Sequence, residues 1–462
     1  MRKVTFVLLL LLAGVLAVSA QDDMLPLPTT HTECEVDLTG ETITIYHFGD
    51  LSGPFAFITQ PLVAGYTDGI AYFNEHGGVC GAQLAQHNED TGGDLEQTQA
   101  IYDRFKGEFG DDMDLLVLYA SADAELLREQ LAEDGIVSII SAGSVAGLYG
   151  ESGDEPGWLF ATNPLYTDQL GAFCNYLEAN ADQYPDPVIG YISWAGAFGQ
   201  AAFTPETIAY CAEHGVTIID TPEIFLPTDT DITVQVQNLM DKGATILYTN
   251  TLASGPVLVA ETVRALGLEG EVQLAGVNWV MDTSVGLLSS QRAGDQMPAV
   301  DGMLGSMPFY WWSEVDQPGI AFITQQAELN ERTGATRNIA YLLSFAAVDQ
   351  IVELYTQTVN RVGSLEEVTG ADLKETLENF DYEGLVGNIN YGEDGQLRAV
   401  NLNRIAMLRF LNADGTGVAE SRDEAMVIPT DSGEVMVPVV VPLTDFEPAP
   451  DLRPGGADVP SS

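Results

Sequence analysis

The chain has 462 residues, and 68 acidic side chains against 17 Lys and Arg give it a formal net charge of −51. A surface this negative repels nucleic acids and anionic membranes, so we expect neither as a partner. The hydrophobic fraction of 46% is ample for buried cores, and the length predicts two domains.

The first twenty residues predict a secretory signal peptide. Met1-Arg2-Lys3 supplies positive charge, an apolar run extends from Val4 to Val18, and Ser19-Ala20 favours cleavage after Ala20. The longest later apolar run, Met436 to Leu443, is short and contains two prolines, so it does not predict a membrane span. We therefore expect an exported protein, periplasmic or extracellular, that is soluble after cleavage.

The predicted elements after residue 42 alternate between strand and helix. A strand at Thr42 to Phe48 is followed by a helix whose inner face carries Leu62, Tyr66, Ile70 and Phe73, and then by a second strand and helix. This order is typical of a parallel, doubly wound sheet.

Residues 111–148 predict the next βαβ unit. Leu115 to Tyr119 and Ile136 to Ile140 are predicted strands, and the helix between them turns Leu126, Leu127 and Leu131 inward. Open α/β sheets bind ligands at the carboxyl ends of their strands, which here run into small polar residues.

Ser121 and the segment Ser141 to Ser144 lie at these two strand ends. Small residues let a ligand reach backbone N–H groups, and Ser121 is the predicted N-cap of the helix, whose positive end favours a carboxylate. We predict an anion site here. Two ordinary βα turns with a serine N-cap would produce the same local pattern.

The rest of the chain predicts a second domain and a tail. Strands and helices alternate again over residues 168–275, and two helices follow at Ile320 to Arg332 and Asn338 to Val362. A third helix precedes a glycine-punctuated run, Tyr382 to Asn388, which predicts a crossover into antiparallel strands. Residues 426–462 are acidic and proline-rich and predict an extended tail.

The four cysteines allow three pairings in an exported chain, and the absence of CxxC spacing argues against zinc. We prefer Cys34 with Cys80 and Cys174 with Cys211, because each pair then lies within one predicted domain. Free, buried cysteines are the alternative.

Short motifs from Thr42 to Phe410 occur in the order and spacing of one protein family. They are Leu51-Ser52-Gly53-Pro54, Asn74 to Gly81 (NEHGGVCG), Asp90, Phe160 to Gly171, Phe198-Gly199, Asp231-Ile232 and Tyr382 to Tyr391 (YEGLVGNINY). With them the chain resembles a type I periplasmic solute-binding protein of the branched-chain amino-acid (leucine/isoleucine/valine) ABC importers.

This resemblance implies an α/β fold of two doubly wound α/β lobes joined by three hinge crossovers (periplasmic binding protein type I, Venus-flytrap). It places residues 36–163 and 308–385 in lobe 1, and residues 164–307 and 386–425 in lobe 2. The crossovers are expected near Thr162 to Leu165, Leu304 to Pro308 and Gly384 to Asn388.

The resemblance also implies the contacts with a bound amino acid. Ser121 and the loop of Gly143, Ser144 and Val145 match positions that hold the carboxylate and ammonium, with Ser144 or Val145 at the hydroxyl position. Asp229 falls where members that pair with an ammonium place a glutamate, and a buried ammonium needs such a partner. A solvated or helix-capping role is the alternative for Asp229.

Recognition of the ligand's side chain is expected to involve aromatic and apolar residues. The candidates are Phe57 or Ile58, Tyr119, Tyr166, Phe198, Trp279 and Tyr341. The sequence departs from the family pattern at Ala161, where arginine is usual, and at Phe198, where tyrosine is usual. These departures leave amides, urea and aromatic acids as alternatives to an amino acid.

The function implied is capture of a branched-chain or related apolar amino acid and its delivery to an ABC permease in the membrane. We expect a monomer with a small-molecule ligand, no cofactor, no metal site and no catalytic residues. A hydrolytic enzyme is an alternative, but the five histidines are scattered, and HExxH, GxSxG and phosphate-loop motifs are missing from the sequence.

Two further alternatives are weaker. Asn412 to Gly417, with Asp423, has the oxygen spacing of a calcium loop, but a flanking strand favours a hairpin turn. A sensory ectodomain of the same fold would need a following transmembrane helix, which the sequence does not predict.

Overall fold

The computed structural model describes residues 24–334, 336–392, 396–430 and 433–460. The predicted signal peptide, residues 1–20, lies outside these described ranges. Within them, the chain is a mixed α/β fold built on two separate main sheets.

The first sheet has five parallel strands in the order β2-β1-β3-β4-β5, as expected for a doubly wound sheet. Its strands are β1 (Thr42–Gly49), β2 (Gln83–Asp90), β3 (Leu115–Val117), β4 (Val137–Ile140) and β5 (Leu159–Ala161). The helices between them are α1 (Ala56–Glu75), α2 (Leu95–Phe109), α3 (Ser121–Asp134) and α4 (Val145–Tyr149). The predicted inner face of α1 is buried, which confirms that prediction.

The second α/β unit begins with α5 and is also parallel at its centre. Its strands are β6 (Val188–Trp194), β7 (Thr217–Ile218), β8 (Glu223–Phe225), β9 (Ile246–Thr249), β10 (Gln273–Gly276) and β11 (Met303–Ser306). Its helices are α5 (Tyr166–Ala179), α6 (Ala197–Gln200), α7 (Pro205–Glu213), α8 (Thr233–Asp241), α9 (Ser254–Ala265) and α10 (Thr283–Arg292).

The chain then returns to the first sheet and completes lobe 1. The elements there are α11 (Pro318–Leu329), α12 (Ile339–Val362), α13 (Gly370–Glu378), β12 (Asp381–Gly384) and β13 (Gly387–Asn390). Helix α12 packs against α1 at a glycine, because a Cβ at Gly65 would overlap with Ser344 Oγ. Among the described helices α12 alone is long and apolar enough to cross a membrane, but it is fully buried and forms the core of lobe 1.

The last strands are β14 (Leu402–Asn403), β15 (Ile405–Phe410), β16 (Val427–Thr430), β17 (Gly433–Met436), β18 (Pro438–Pro442) and β19 (Glu447–Pro448). Strands β15 and β18 extend the second sheet in antiparallel fashion, whereas β14 pairs with β19 and β16 with β17 in separate two-stranded sheets. The order is β18-β15-β11-β10-β9-β6-β7, with β8 also paired to β6. We call this sheet and helices α5–α10 lobe 2.

The expected tail spans residues 426–462, and its described residues, 426–430 and 433–460, are a packed part of the fold. Strand β18 pairs with β15, and its two prolines lie at its ends on the outer edge of the sheet, where proline is tolerated. Leu452 is fully buried, and its N–H donates to Asp168 Oδ1 (3.0 Å) in α5. The composition predicted an extended backbone. It did not predict that this backbone pairs with β15 and packs against α5.

The third crossover lies later than the expected Gly384 to Asn388. The Ala161 N–H donates to the Arg398 carbonyl oxygen (2.6 Å), and the ring of Tyr391 lies 5.1 Å from that of Phe160. Residues 381–392 and 396–400 therefore lie on lobe 1, and the chain joins the lobe 2 sheet with β15. The glycine-rich run forms the tight hairpin β12–β13 instead.

The hinge surrounds a small cavity of about 30 Å³. Its lining includes Thr162 and Asn163 of the first crossover, Pro308 of the second and Gly384 to Ile389 of the hairpin. Gln350 of α12 also lines it, and both of its side-chain amide atoms are buried without a partner in the described part of the chain. A cavity of this size accommodates one or two waters.

Two local predictions have opposite outcomes. The preferred cysteine pairing is confirmed, because Cys34 is bonded to Cys80 and Cys174 to Cys211. Leu126 is not inward-facing but 38% exposed, because the buried stripe of α3 follows Ala124, Leu127 and Leu131. A run of adjacent leucines cannot all face the core of a helix with 3.6 residues per turn.

Candidate functional site

The carboxyl ends of the two sheets face each other, and side chains meet across the gap. The ring of Phe55, which follows β1, lies 5.7 Å from that of Trp194 at the end of β6. The Ile339 N–H at the start of α12 in lobe 1 donates to Asp282 Oδ1 (2.7 Å) in lobe 2. Two α/β units that meet at their strand ends form an interlobe cleft, which is where this class of sheet binds ligands.

Ser121 is the first residue inside α3 and not its N-cap, which corrects the expected role of its hydroxyl. Ala120 holds the capping position with an extended backbone, and it lacks a side chain that could accept a hydrogen bond. The first N–H to bond within the helix is that of Ala124, to the Ala120 carbonyl oxygen (3.1 Å). The N–H groups of Ser121, Ala122 and Asp123 are therefore available at the positive end of α3.

Tyr166 links this helix start to lobe 2. Its hydroxyl accepts a hydrogen bond from Trp279 Nε1–H (3.0 Å), and its ring lies 5.4 Å from that of Phe198. Burial raises the pKa of Tyr166 above its usual value, and hydrogen bonds with Trp279 and Ser121 partly offset this. The neutral phenol thus lies among three residues, Ser121, Phe198 and Trp279, that the sequence predicted for the ligand site.

Residues that the sequence did not predict complete this cluster. Phe55 and Trp194 add two rings, and Trp194 lies 6.3 Å from Phe198. Asn278 directly precedes Trp279, and both polar atoms of its side chain are buried with no partner among the described residues. The available signal was a polar residue shortly after a buried strand, the pattern that identified Ser121.

The loop after β4 meets the candidate site through a backbone carbonyl group, while the hydroxyl of its serine is bonded elsewhere. The Tyr166 N–H donates to the Gly143 carbonyl oxygen (3.4 Å). Ser144 caps α4 by accepting the Gly147 N–H (3.2 Å), and its hydroxyl donates to Glu125 Oε1 (2.6 Å). The Ser144 hydroxyl is therefore directed at α3, and Val145 is buried beside it.

Tyr119, shortly after β3, uses its hydroxyl in a hydrogen bond with a buried histidine. Its hydroxyl is hydrogen-bonded to His47 Nδ1, and His47 Nε2 lies 3.1 Å from Gln86 Oε1. Burial lowers the pKa of His47 to about 4, so the imidazole is neutral at pH 7. The Tyr119 ring lines a cavity of about 20 Å³ below the cleft, together with Tyr66 and Ser141.

Two further predicted contacts lie apart from this cluster. Tyr341 is fully buried, and its hydroxyl donates to Asp68 Oδ2 (2.8 Å), which Arg332 also binds through two N–H groups. The polar group of Tyr341 therefore serves the core of lobe 1, and the expected recognition role of its ring stays a prediction. Asp229 accepts the Leu226 N–H (2.7 Å) in a partly exposed loop after β8.

Phe57 and Ile58, the two alternative ligand contacts predicted at the start of α1, differ in exposure. Phe57 is 40% exposed, whereas Ile58 is buried in the core of lobe 1.

The charged groups near the strand ends are acidic. The sequence has no Lys or Arg at residues 47–59, 117–125, 139–147, 160–172, 192–204 or 276–284. Burial raises the pKa of Asp123 to about 6, and it also raises the pKa of Asp282. An anionic group bound here would be held by backbone N–H groups, because these segments offer no side-chain cation.

The described residues contain no group of three or more His, Cys, Asp or Glu side chains placed to hold a metal ion. The calcium-like segment is a turn in which Asn412 Oδ1 accepts the N–H groups of Thr416 (3.1 Å) and Gly417 (3.2 Å). Its oxygen atoms therefore stabilise the turn itself.

Two α/β lobes that face each other through their strand ends define a two-lobed ligand-binding protein. The chain belongs to the periplasmic binding protein family, whose sequence profile matches residues 42–408. This confirms the family resemblance seen in the motifs. No curated protein sequence gives a significant match.

Solved structures share the fold at low sequence identity. A branched-chain amino acid ABC transporter protein from Thermus thermophilus with bound valine has a TM-score of 0.67 and 18% identity, over 88% of this chain and 98% of that one. A fatty acid ABC transporter substrate-binding protein from Thermomonospora curvata has a TM-score of 0.66 and 16% identity, over 93% and 97%. A solute-binding protein from Rhodopseudomonas palustris HaA2 in complex with p-hydroxybenzoic acid has a TM-score of 0.65 and 13% identity, over 88% and 98%.

Proposed function

We propose that this protein is the exported substrate-binding component of an ABC importer. It captures a small molecule between its lobes and delivers it, chemically unchanged, to a permease in the membrane. The observation that carries the proposal is the Ser121–Tyr166–Trp279 connection, which joins the positive end of α3 to an aromatic wall on the opposite lobe. The signal peptide predicted at residues 1–20 supports export.

The ligand we propose is an amino acid, branched-chain or related and apolar. Its carboxylate would accept N–H groups of Ser121 to Asp123 at the start of α3, where the helix dipole favours negative charge. Its apolar side chain would lie against the rings of Tyr166, Phe198 and Trp279. A zwitterion suits acidic surroundings better than a monoanion, because its ammonium offsets the charge of its carboxylate.

The ammonium has two candidate partners. Asp229 would reach it only if its loop turned toward the cleft, since its carboxylate caps Leu226 in this structure. Asn278 offers a buried amide oxygen next to Trp279 that has no partner among the described residues. We favour Asn278, which gives a dipole in place of a full charge.

An aromatic acid is the second candidate ligand. It is favoured by the ring cluster of Phe55, Tyr166, Trp194, Phe198 and Trp279, which suits a flat aromatic body. The unpartnered amide of Asn278 would pair equally well with an amide or urea group. These candidates differ from an amino acid in lacking an ammonium.

Native mass spectrometry tests the proposal across several ligand classes at once. The protein is incubated with an equimolar mixture of the protein amino acids, hydroxybenzoic acids, short amides and urea, then desalted, and the mass added to the folded chain is measured. We expect one bound molecule per chain, released unchanged on unfolding. Binding of no component, or release of a chemically altered molecule, would overturn the proposal.

A further inference from the structure

The end of the C-terminal segment contacts both lobes. Residues 449–458, which we call the strap, directly follow β19 and lie beyond residue 408, where the family profile ends. The Ala449 N–H donates to the carbonyl oxygen of Asn401 (2.5 Å), in the stretch that leads from lobe 1 to lobe 2. The strap therefore starts beside the third crossover.

The strap is anchored in lobe 2 through α5. Pro450 and Leu452 are buried, and a Cβ at Gly171 of α5 would overlap with both of these side chains. The Leu452 N–H donates to Asp168 Oδ1 (3.0 Å), and Asp168 is itself buried. Both α5 residues lie in the first two turns of that helix, which begins at Tyr166, directly after the first crossover. This anchor is therefore placed next to the hinge.

The next two residues of the strap contact lobe 1. The Arg453 guanidinium lies over the ring of Tyr149 in α4, 4.8 Å from the ring centre, which is the geometry of a cation–π contact. Pro454 packs on Gly153, between α4 and β5, where a Cβ would leave no room for the proline ring. The adjacent residues Leu452 and Arg453 thus contact opposite lobes.

Hydrogen bonds within the strap leave it little slack. Arg453 Nε donates to Asp451 Oδ1 (3.0 Å), and the Asp451 N–H donates to Asp458 Oδ2 (2.9 Å). The Gly456 N–H donates to the Arg453 carbonyl oxygen (2.7 Å). Consecutive Cα atoms of any chain lie only about 3.8 Å apart. A rotation that moves α4 away from α5 must therefore break the contacts of the strap with one lobe.

We propose that the strap is a further connection between the lobes, which holds them in the present arrangement and limits their opening about the crossovers. In this arrangement Phe55 meets Trp194 across the cleft, and Asp282 accepts the Ile339 N–H. Opening the cleft gives up the contacts of the strap with lobe 1 in addition to these, so the strap lowers the population of the open form. The inference rests on the proposed function only for its consequence, a slower exchange of the cleft ligand.

Small-angle X-ray scattering from the ligand-free protein tests this connection. Inserting Gly-Ser-Gly-Ser between Leu452 and Arg453 keeps the side chains that contact each lobe and adds up to about 13 Å of chain between them. We expect the wild type to scatter as the arrangement described above, and the insertion variant to have a larger radius of gyration. The same insertion between Gly363 and Ser364, in a loop of lobe 1, is the matched control and should leave the lobe arrangement unchanged.

Arg453→Ala keeps the test decisive if the insertion prevents folding, because Leu452 and its contacts with lobe 2 stay in place. We expect this variant to fold normally by circular dichroism and to have a radius of gyration between those of the wild type and the insertion variant. A wild type that already scatters as an opened form, or folded variants that scatter as the wild type does, would overturn the proposal. Since no ligand is used, these outcomes are independent of whether the cleft binds the proposed amino acid.

Discussion

Trp279 donates its indole N–H to the hydroxyl of Tyr166 at 3.0 Å, and Ser121 of the opposite lobe lies close enough to that hydroxyl to offset part of the pKa rise that burial causes. The phenol thus connects the start of α3 with the aromatic wall of lobe 2. A ligand held between these elements would exchange hydrogen bonds with this pair as the lobes close. Tyr166 is therefore the residue most suited to a conservative test.

Tyr166→Phe removes one hydroxyl and keeps the ring. We expect ligand affinity to fall about fivefold, since one buried hydrogen bond contributes about 1 kcal/mol. Calorimetry with the ligand identified by mass spectrometry measures this. Tyr184→Phe, a change on the outer side of lobe 2, is the matched control and should leave affinity unchanged. Equal affinity in both variants would remove Tyr166 from the site.

His47 should make the stability of lobe 1 sensitive to mild acid. Burial lowers its pKa from 6.5 to about 4, so the folded state binds fewer protons than the unfolded state between these values. The free energy of unfolding is therefore unaffected by this group above pH 6.5. It decreases as the pH falls from 6.5 toward 4, by about 3 kcal/mol in all.

Denaturant unfolding of wild type and His47→Gln at about pH 7.5 and about pH 4.5, on either side of this window, measures the loss. We expect the wild type to lose more stability than the variant on acidification. A parallel loss in the two proteins would show that His47 does not titrate in this window.

Asp123 should make the folded state less stable as the pH rises, which is the opposite of the pH dependence expected from His47. Burial raises its pKa from 3.8 to about 6, so ionisation above pH 6 costs the folded state up to about 3 kcal/mol. Asp123→Asn removes the charge but keeps an oxygen for the Thr98 hydroxyl, which donates to Asp123 at 2.9 Å. We expect the variant to be more stable than the wild type at about pH 7.5 and nearly equal to it at about pH 4. A variant that is less stable than the wild type at the higher pH would contradict this.

Leu452 tests whether the C-terminal segment belongs to the fold. It is fully buried, and a Cβ at Gly171 of α5 would lie 2.5 Å from its Cδ1. Leu452→Ala should lower the free energy of unfolding by about 2–4 kcal/mol through the lost contacts and the cavity left behind. Leu443→Ala, at a position 40% exposed, is the control and should cost less than about 1 kcal/mol. If both changes have an equally small effect on the free energy of unfolding, the C-terminal segment is not a packed part of the fold.

The sequence predicted the features that depend on local pattern. The alternation of strands and helices, the inner face of α1 and the pairing of Cys34 with Cys80 and of Cys174 with Cys211 are all present in the structure. The polar residue after β3 led to Ser121 because the carboxyl ends of parallel strands share one edge of a sheet.

Local sequence pattern does not report backbone geometry or contacts between distant residues. Ser121 lies one position inside α3 because the extended backbone of Ala120 sets the cap, and composition does not encode this. Tyr341 meets Asp68, 273 residues earlier in the chain, so no local pattern reports that its hydroxyl is already bound. Asn278 was not predicted because a single asparagine beside Trp279 is a weaker sequence signal than the aromatic ring.

Calorimetric titration of the wild-type protein with L-valine, and then with the other apolar amino acids and p-hydroxybenzoate, tests the proposed ligand site most directly. We expect one saturable site per chain with a negative heat-capacity change, because an apolar ligand body is buried between the lobes. Ser121→Trp, which fills the space in front of α3, should abolish that binding, while Arg361→Gln on the back of lobe 1 should preserve it. Saturable binding that survives Ser121→Trp, or the absence of saturable binding across the whole series, would contradict a ligand site between Ser121 and Tyr166.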